Sequence, residues 1–179
     1  MDPVFAPWRM EWVTRENTNE EFDSCIFCAL PEQEADRKHR ILARSQSSYV
    51  LMNRAPYTPG HLLVVPKSHE NGIEHVPESV LSDTFKLVQT SIQAINRALY
   101  PDGFNVGMNI GKAGGASIED HLHVHVVPRW EGDTTFMPTT ANSKIIAEAL
   151  EETYERLYEA FLQVDGVKAA DEDSAVMVN

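Results

Sequence analysis

Residues 121–127 read His-Leu-His-Val-His-Val-Val and hold three histidines, each separated from the next by one apolar residue. On a β-strand, residues two apart point to the same face and lie about 6.5–7 Å from one another. A strand therefore predicts a row of imidazoles from His121, His123 and His125 on one face and apolar side chains on the opposite, buried face. On a helix the same residues would spread around the cylinder. Because imidazoles rarely crowd unless they bind a metal, an anion or a substrate, the row indicates a functional site.

Two chemistries use such a row of histidines. Three histidines can ligate zinc, as in some hydrolases. Alternatively, a neutral imidazole attacks phosphorus while its neighbours hold the phosphate and protonate the leaving group. The turn before the histidines, Gly114–Ser117, offers close backbone approach, N–H donors and a hydroxyl, which suit phosphate oxygens. This turn favours phosphorus chemistry, although it lacks the Gly-Lys-Ser/Thr ending of a P-loop.

The segments on either side of the histidines predict an α+β domain. Tyr49–Met52 and His61–Val65 are short apolar runs of a composition typical of strands. Ser79–Tyr100 carries apolar residues at helical spacing and predicts one long helix, and Ser143–Leu162 predicts a second, C-terminal helix. Strands that cluster around one long helix favour a mostly antiparallel sheet.

The chain has the length of one domain, since its 179 residues are enough to bury a core. We predict a single domain over residues 1–165, with residues 1–24 as an irregular N-terminal arm. The acidic residues that follow Asp165 predict a flexible tail over residues 166–179.

The charge of the chain argues against a nucleic-acid partner. Lys and Arg number 15 against 27 Asp and Glu, for a net charge of −12, whereas neutralising a phosphate backbone needs clustered cations. No apolar run is long enough to span a bilayer, and the N-terminus lacks the basic start and apolar stretch of a secretory signal. We therefore expect a soluble, cytoplasmic protein with no membrane partner.

The two cysteines form one CxxC pair, Cys25-Ile26-Phe27-Cys28. In an intracellular chain this spacing indicates a metal or a redox couple more than a structural disulfide. No thioredoxin-like βαβ pattern surrounds the pair, and two buried small residues are the third interpretation. A zinc site needs four ligands, and His69 is a candidate for the third. The H-x-E and P-C-x-x-C arrangement of zinc deaminases is missing.

With these motifs the sequence resembles the histidine triad family of nucleotide hydrolases and transferases, in particular its dinucleoside polyphosphate branch. The resemblance rests on the histidine segment 121–127, on its approach in Asn109–Gly111 and Gly114–Ser117, and on a nucleoside-type loop in Asn53–Pro56 and Pro59–His61. The segments most similar to the diadenosine tetraphosphate phosphorylases of the family are Trp8–Met10, Gly103–Gly107 and Val127–Trp130.

The resemblance implies a chemistry for the site residues. It makes His123 the nucleophile that forms a covalent nucleotidyl-histidine, and His125 the partner of the bridging oxygen and of the leaving group. The other implied ligands are His61, Asn109, Gly115 and Ser117 around the phosphate, and Asn53 at the ribose hydroxyls. The family needs no catalytic metal for this two-step displacement.

The resemblance also implies a structural zinc ion, one per chain, that pins the N-terminal arm onto the histidine strand. Its implied ligands are Cys25, Cys28, His69 and His121. This assignment leaves the other two histidines of the triad for chemistry. The family further implies a homodimer, a small-molecule nucleotide substrate, and a sheet of about five antiparallel strands with one long and one C-terminal helix.

Two departures from the family pattern bear on function. Ala116 stands where the glycine turn of the family often carries Gln, and the linker Ile118–Asp120 is a residue longer than in the hydrolases. We therefore expect cleavage of dinucleoside polyphosphates such as diadenosine tetraphosphate, with a phosphorylase preferred over a hydrolase. Two alternatives stay open, a purine nucleoside phosphoramidase and a nucleotide-binding regulatory protein.

Overall fold

The computed structural model describes residues 25–133, 150–171 and 173–178. The predicted N-terminal arm and residues 143–149 of the predicted C-terminal helix lie outside the described residues. The helices are α1 (Ile26–Ala29), α2 (Asp36–His39), α3 (Glu78–Leu99) and α4 (Leu150–Leu162). The strands are β1 (Ile41–Arg44), β2 (Ser48–Met52), β3 (Leu62–Pro66), β4 (Gly103–Met108), β5 (Val124–Arg129), β6 (Val167–Lys168) and β7 (Val176–Val178). Of the helices described, none is both long and apolar enough to cross a membrane.

The strands form one sheet in the order β4-β5-β3-β2-β1-β7-β6. The first five strands of this order pair antiparallel throughout, which confirms the predicted α+β fold and its five-stranded antiparallel sheet. Two further strands extend the sheet, because β7 pairs with β1 in parallel and β6 pairs with β7 antiparallel. The complete sheet is therefore mixed and has seven strands.

These added strands occupy residues that the sequence predicts as a flexible acidic tail. Ala175 and Val176 are 1% and 0% exposed, and the N–H of Ala175 donates to Asp36 Oδ2 at 2.8 Å. The short apolar run that begins at Ala175 therefore packs beside β1, with its first two residues buried. The acidic residues before it, such as Asp171, lie on the surface and dominate the composition of the segment.

The sheet separates two layers of side chains. On one face α3 and α4 cover the main core, where β2, β3 and β5 bury Val50, Val64 and Val126 completely. The other face carries a smaller apolar cluster, which consists of Phe27, Leu30, Ile41, Tyr49, Leu51, Leu63, Val65 and Ala175. Leu63 is the cross-strand partner of His125, so the histidine side of β5 belongs to this second face.

The histidine segment follows the predicted alternation, but its strand is shorter than predicted. Leu122, Val124 and Val126 are 3%, 0% and 0% exposed, as expected for the buried set. The strand begins only at Val124, so His125 alone of the three histidines lies inside it. The ladder to β3 stops there because Pro66, near its end, has no N–H to donate. The oxygen of Pro66 instead accepts a hydrogen bond from His121 Nε2 at 2.8 Å.

Candidate functional site

The central histidine of the segment presents one nitrogen with a free lone pair. His123 is 5% exposed, and its Nδ1 lies 2.9 Å from the backbone oxygen of His121. Because a carbonyl oxygen only accepts hydrogen bonds, Nδ1 carries the hydrogen and Nε2 keeps the lone pair. Burial lowers the pKa of His123, and the hydrogen bond to His121 opposes that shift only in part. His123 is therefore a neutral imidazole at neutral pH with a nucleophilic Nε2.

His61 and His125 form a hydrogen-bonded pair whose direction is set by the backbone. The N–H of Tyr57 donates to His61 Nδ1 over 3.1 Å, so the hydrogen of the His61 ring is on Nε2. His61 Nε2 then donates to His125 Nδ1 at 2.9 Å, which leaves the hydrogen of His125 on its own Nε2. Burial, followed by the nearby His123, lowers the pKa of His125 to about 4, so this ring is uncharged at neutral pH.

The buried Nε2–H of His125 has no hydrogen-bond partner within the described ranges. A buried donor without an acceptor costs about 1–3 kcal/mol, so it is kept where a ligand completes the bond. The rings of His123 and His125 are 5.0 Å apart between centroids. The ring with the unpaired donor thus lies beside the ring with the nucleophilic nitrogen, and such a pair can attack phosphorus and hold the oxygen that leaves.

The loop between β2 and β3 fixes the orientation of His61. Asn53 Nδ2 lies 3.2 Å from His61 Nδ1, and Asn53 Oδ1 accepts the N–H of Ala55 at 3.0 Å. The ring of Tyr57 packs with its centroid 4.6 Å from that of His61 and 6.0 Å from that of His125. The motifs did not single out Tyr57, because a loop tyrosine carries no signal of its own until its neighbours are known.

The glycine turn has the backbone shape that its sequence predicts. Gly111 and Gly115 have φ of +68° and +86°, a left-handed region in which glycine carries no penalty. Asn109 Nδ2 donates to the oxygen of Gly115 at 3.3 Å, which fastens the turn to the end of β4. Gly115 and Ser117 are both exposed on this turn. The turn therefore presents backbone and hydroxyl groups to solvent beside Asn109.

A cleft of about 530 Å³ opens along β4 and β5 on the histidine face. Its lining residues are Tyr57, Thr58, Asn105, Val106, Gly107, Met108, Asn109, His125, Val127, Arg129 and Asp133. Of the predicted nucleotide-site residues, two line this cleft, Asn109 and His125. The other five do not, namely Asn53, His61, Gly115, Ser117 and His123. Arg129 at the far end donates to both carboxylate oxygens of Asp133 and to Asn105 Oδ1. Arg129 lies four residues after His125 on β5, so the two side chains are on the same face of the strand. Extending the alternation of the histidine segment to the end of the strand would have identified Arg129 from the sequence.

The four predicted metal ligands come together in a second cluster. One ligand atom from each of Cys25, Cys28, His69 and His121 lies within 4.8 Å of the others. The S···N distances are 3.3–3.5 Å, close to the roughly 3.6 Å that Zn–S and Zn–N bonds subtend at a tetrahedral zinc. Burial, followed by the adjacent Cys25, raises the pKa of the Cys28 thiol to about 11, so a bound cation is needed to hold it as thiolate. The donor set fits zinc.

The hydrogen bond from His121 Nε2 to Pro66 orients Nδ1 toward the two sulfurs, as an outer partner does for a ligating histidine. Phe27, which lies between the two cysteines in sequence, packs its ring 5.6 Å from that of His121 and 5.1 Å from that of His123. Its backbone oxygen accepts a hydrogen bond from the buried Tyr49 hydroxyl at 2.7 Å. The metal cluster and the nucleophile therefore share one packed neighbour.

Comparison with known proteins agrees with this geometry. The HIT domain family model matches residues 34–132. A Mycobacterium tuberculosis protein named AP-4-A phosphorylase is 34% identical over 154 residues, 84% of this chain and 79% of its own length. A Candida albicans adenosine 5'-monophosphoramidase is 26% identical over 149 residues, 81% of this chain and 96% of its own.

Among solved structures, a zinc-bound histidine triad family protein from Mycobacterium smegmatis is similar, with a TM-score of 0.66 at 29% identity. The match covers 79% of this chain and 96% of that one. The family model spans more than half of the chain, and the residues that it matches include His121, His123 and His125. The chain belongs to the histidine triad (HIT) family.

Proposed function

We propose that this chain, a HIT-family nucleotide hydrolase or transferase, cleaves dinucleoside polyphosphates through a covalent nucleotide on His123. The observation that carries the proposal is the pair of ring tautomers. The ring of His123, with its lone pair on Nε2, lies 5.0 Å between centroids from the ring of His125, with its unpaired Nε2–H, and hydrogen bonds set both tautomers. Diadenosine tetraphosphate is the substrate we place first, since the M. tuberculosis relative is named for it.

In the first step, His123 Nε2 forms a bond to the α-phosphorus and the bond to the bridging oxygen breaks. The electron pair of that bond stays on the oxygen of the leaving polyphosphate. His125 Nε2–H hydrogen bonds to this oxygen and stabilises its charge. The neutral imidazole of His125 does not need to transfer its proton to the leaving oxygen in this step, because a polyphosphate leaves as a stable anion. In the second step an oxygen nucleophile takes the nucleotide, and the N–P bond breaks to restore neutral His123.

The same tautomer favours phosphate over water as the second nucleophile. Water must lose a proton as it attacks, and His125 Nε2 already carries a hydrogen, so it cannot accept one. An anionic phosphate needs no base and can accept the hydrogen bond from His125 as it enters. We therefore place a phosphorylase, which makes ADP and ATP from diadenosine tetraphosphate, ahead of a hydrolase.

A second candidate is cleavage of purine nucleoside phosphoramidates, which the name of the C. albicans relative favours. The nucleotide half of the substrate and the role of His123 are the same. The leaving group is then an amine, which needs a proton that a polyphosphate does not. A regulator that binds nucleotide without turnover is the outcome if neither substrate is cleaved.

We further propose that Cys25, Cys28, His69 and His121 hold one structural zinc ion. When bound, the ion would fasten α1 to the histidine segment and would leave His123 and His125 free. The S···N distances and the orientation of His121 support this assignment. We also propose a homodimer, because β4 ends the described sheet with an open strand edge, on which Val106 is 43% exposed.

The test is product analysis after incubation with diadenosine tetraphosphate, with and without inorganic phosphate, using His123→Ala as the control. ADP plus ATP that form only with phosphate establish a phosphorylase. AMP plus ATP without phosphate establish a hydrolase. If no product depends on His123, the dinucleotide assignment is wrong, and release of ammonia from adenosine 5'-phosphoramidate is measured next.

A further inference from the structure

We propose that Tyr49 is a positioning residue that couples the metal cluster to the nucleophile His123. This role rests on the proposed function, because it involves both the proposed zinc ion and the nucleophile. The link between the two sites is Phe27, which lies in the CxxC turn and packs against His123. Loss of the Tyr49 hydroxyl should therefore weaken zinc binding and release the ring of His123 from its fixed orientation.

The backbone oxygen of Phe27 has no donor within its own helix. In an α-helix this oxygen would accept the N–H of the residue four positions later, which here is Pro31 and has no N–H. The N–H of Leu30 is already used, because it donates to the oxygen of Ile26. The hydroxyl of Tyr49 donates to the oxygen of Phe27 at 2.7 Å. The hydroxyl therefore takes the place of the missing helical donor.

The surroundings of Tyr49 show what its hydroxyl contributes. Tyr49 is 0% exposed and belongs to the smaller apolar cluster, whereas the next residue of β2, Val50, belongs to the main core on the other face of the sheet. A hydroxyl in apolar surroundings costs free energy unless it is hydrogen bonded. Phenylalanine would supply the same ring to the cluster without that cost. The bond to Phe27 is therefore what the hydroxyl adds to the packing of the ring.

The bond from Tyr49 anchors the turn that carries both cysteines. The oxygen of Cys25 accepts the N–H groups of Cys28 and Ala29, each at 3.0 Å. These bonds close a turn that contains Phe27, so attaching the oxygen of Phe27 to β2 restrains both sulfur atoms relative to the sheet. Removal of an outer partner that orients metal ligands commonly lowers metal affinity by about 10–100-fold. We therefore expect Tyr49 to act as such a partner for the two cysteines.

The metal cluster also restrains the ring of His123. The ring of Phe27 lies 5.1 Å from that of His123 between centroids, at an angle of 55°, which is within the range of about 4.5–7 Å for packed aromatic pairs. The Nδ1–H of His123 donates to the backbone oxygen of His121 at 2.9 Å. One restraint therefore comes from the CxxC turn and the other from a proposed metal ligand. The tautomer of His123 thus depends on an assembled cluster.

Tyr154 provides a matched control on the opposite face of the sheet. It is 3% exposed, and its hydroxyl also donates to a backbone oxygen, that of Ile41, at 3.2 Å. Tyr154 lies on α4 and packs in the main core, away from the CxxC turn. Tyr154→Phe and Tyr49→Phe remove the same atom and the same kind of hydrogen bond. Only Tyr49→Phe releases the turn that carries the cysteines.

The first measurement is the zinc dissociation constant of the wild type and of both variants, obtained without nucleotide by competition with a chromophoric chelator. We expect Tyr49→Phe to raise the dissociation constant about tenfold, at the lower end of the effect of outer partners. Tyr154→Phe should change it by less than about twofold, because its hydrogen bond is remote from the metal cluster.

The second measurement is nitrogen NMR of His123, whose signals are assigned by their loss in His123→Ala. Free zinc is buffered between the dissociation constants of the wild type and Tyr49→Phe. The wild type and Tyr154→Phe should then carry the hydrogen of His123 mainly on Nδ1, whereas Tyr49→Phe should show both tautomers. Saturating zinc should restore the single tautomer in Tyr49→Phe, which a general loss of stability would not produce.

Equal dissociation constants for the two variants would overturn the role of Tyr49, as would a His123 tautomer that does not change with zinc occupancy. A wild-type protein that binds no zinc would overturn the metal site and its coupling together. Failure of the dinucleotide assignment has a different signature, because both measurements are made without nucleotide. No product would then form from the dinucleotide, while the difference in zinc affinity and the change of tautomer would persist.

Discussion

The hydrogen bond from His61 to His125 sets which nitrogen of His125 faces the leaving oxygen, and replacing His61 with Phe tests this directly. At about 4, the pKa of His125 lies three units below neutral pH, so about one molecule in a thousand is protonated there. In the neutral ring of His125, Nδ1 accepts a hydrogen bond from His61 Nε2 at 2.9 Å, and this bond places the hydrogen of His125 on its own Nε2. Phenylalanine keeps a ring against Tyr57 but removes that bond.

The loss of one neutral hydrogen bond, about 1 kcal/mol, would change the tautomer populations about fivefold. The complete loss of a donor aimed at developing charge costs about 10²–10³ in kcat, whereas His61→Phe lowers only the population of the tautomer that carries the donor. We therefore expect His61→Phe to lower kcat about fivefold and to change KM by less than about threefold, because the bond matters mainly in the transition state. The assay is product formation from the preferred substrate, with nitrogen NMR of His125 to report which ring nitrogen is protonated.

Thr84→Val is the matched control, because it also removes a buried side-chain hydrogen bond, to Ser48 Oγ at 2.9 Å, but far from the histidines. It should lower the free energy of unfolding and leave kcat within about twofold. The reasoning is refuted if His61→Phe retains kcat within about threefold, or if Thr84→Val lowers kcat as much. An unchanged protonation pattern of His125 in the variant would refute it independently.

Three further outcomes are expected. Protein purified without added metal should contain about one zinc per chain, and Cys28→Ser should lower that content to near zero by elemental analysis. Asp36→Ala should lower the free energy of unfolding in urea by about 3 kcal/mol, because it removes the carboxylate partner of the mostly buried Arg44, whereas Glu155→Ala in an exposed pair should leave the free energy of unfolding nearly unchanged. Since the unfolded chain protonates histidine near pH 6.5 and folded His125 only near 4, the free energy of unfolding should fall as pH drops from 6.5 toward 4. The fall should be smaller in His125→Asn, and equal urea midpoints at pH 7 and 5 in the wild type would contradict it.

The residues that could be predicted from the sequence belong to short motifs of residue types that serve few kinds of chemistry. The alternation around His123 and His125 indicated a buried apolar set opposite the imidazoles, and the structure shows it. The CxxC pair and two distant histidines, named through the resemblance, have their ligand atoms together. In both cases the residue types allow few alternative functions. Local sequence was enough for the histidine segment, whereas the metal site also needed the family resemblance to supply the full set of ligands.

The remaining features depend on contacts between distant segments. The direction of the His61–His125 bond comes from the backbone N–H of Tyr57, which every residue except proline would supply. The cleft at Arg129 arises from the register of β4 against β5, and register is a property of the assembled sheet. The last strand was missed because its apolar run is three residues long and follows an acidic stretch, where composition outweighs pattern.

The parallel pairing of β7 with β1 has a consequence for how the protein folds in the cell. Ala43 pairs with Val176, so the two strands are joined by a chain loop of about 130 residues, and closing such a loop is slow compared with local pairing. Until β7 has been synthesised, β1 is the outer strand of the nascent sheet and its free edge is open to other chains. Docking of β7 covers that edge. The interval between synthesis of β1 and docking of β7 is therefore the period in which this protein is most exposed to misassembly.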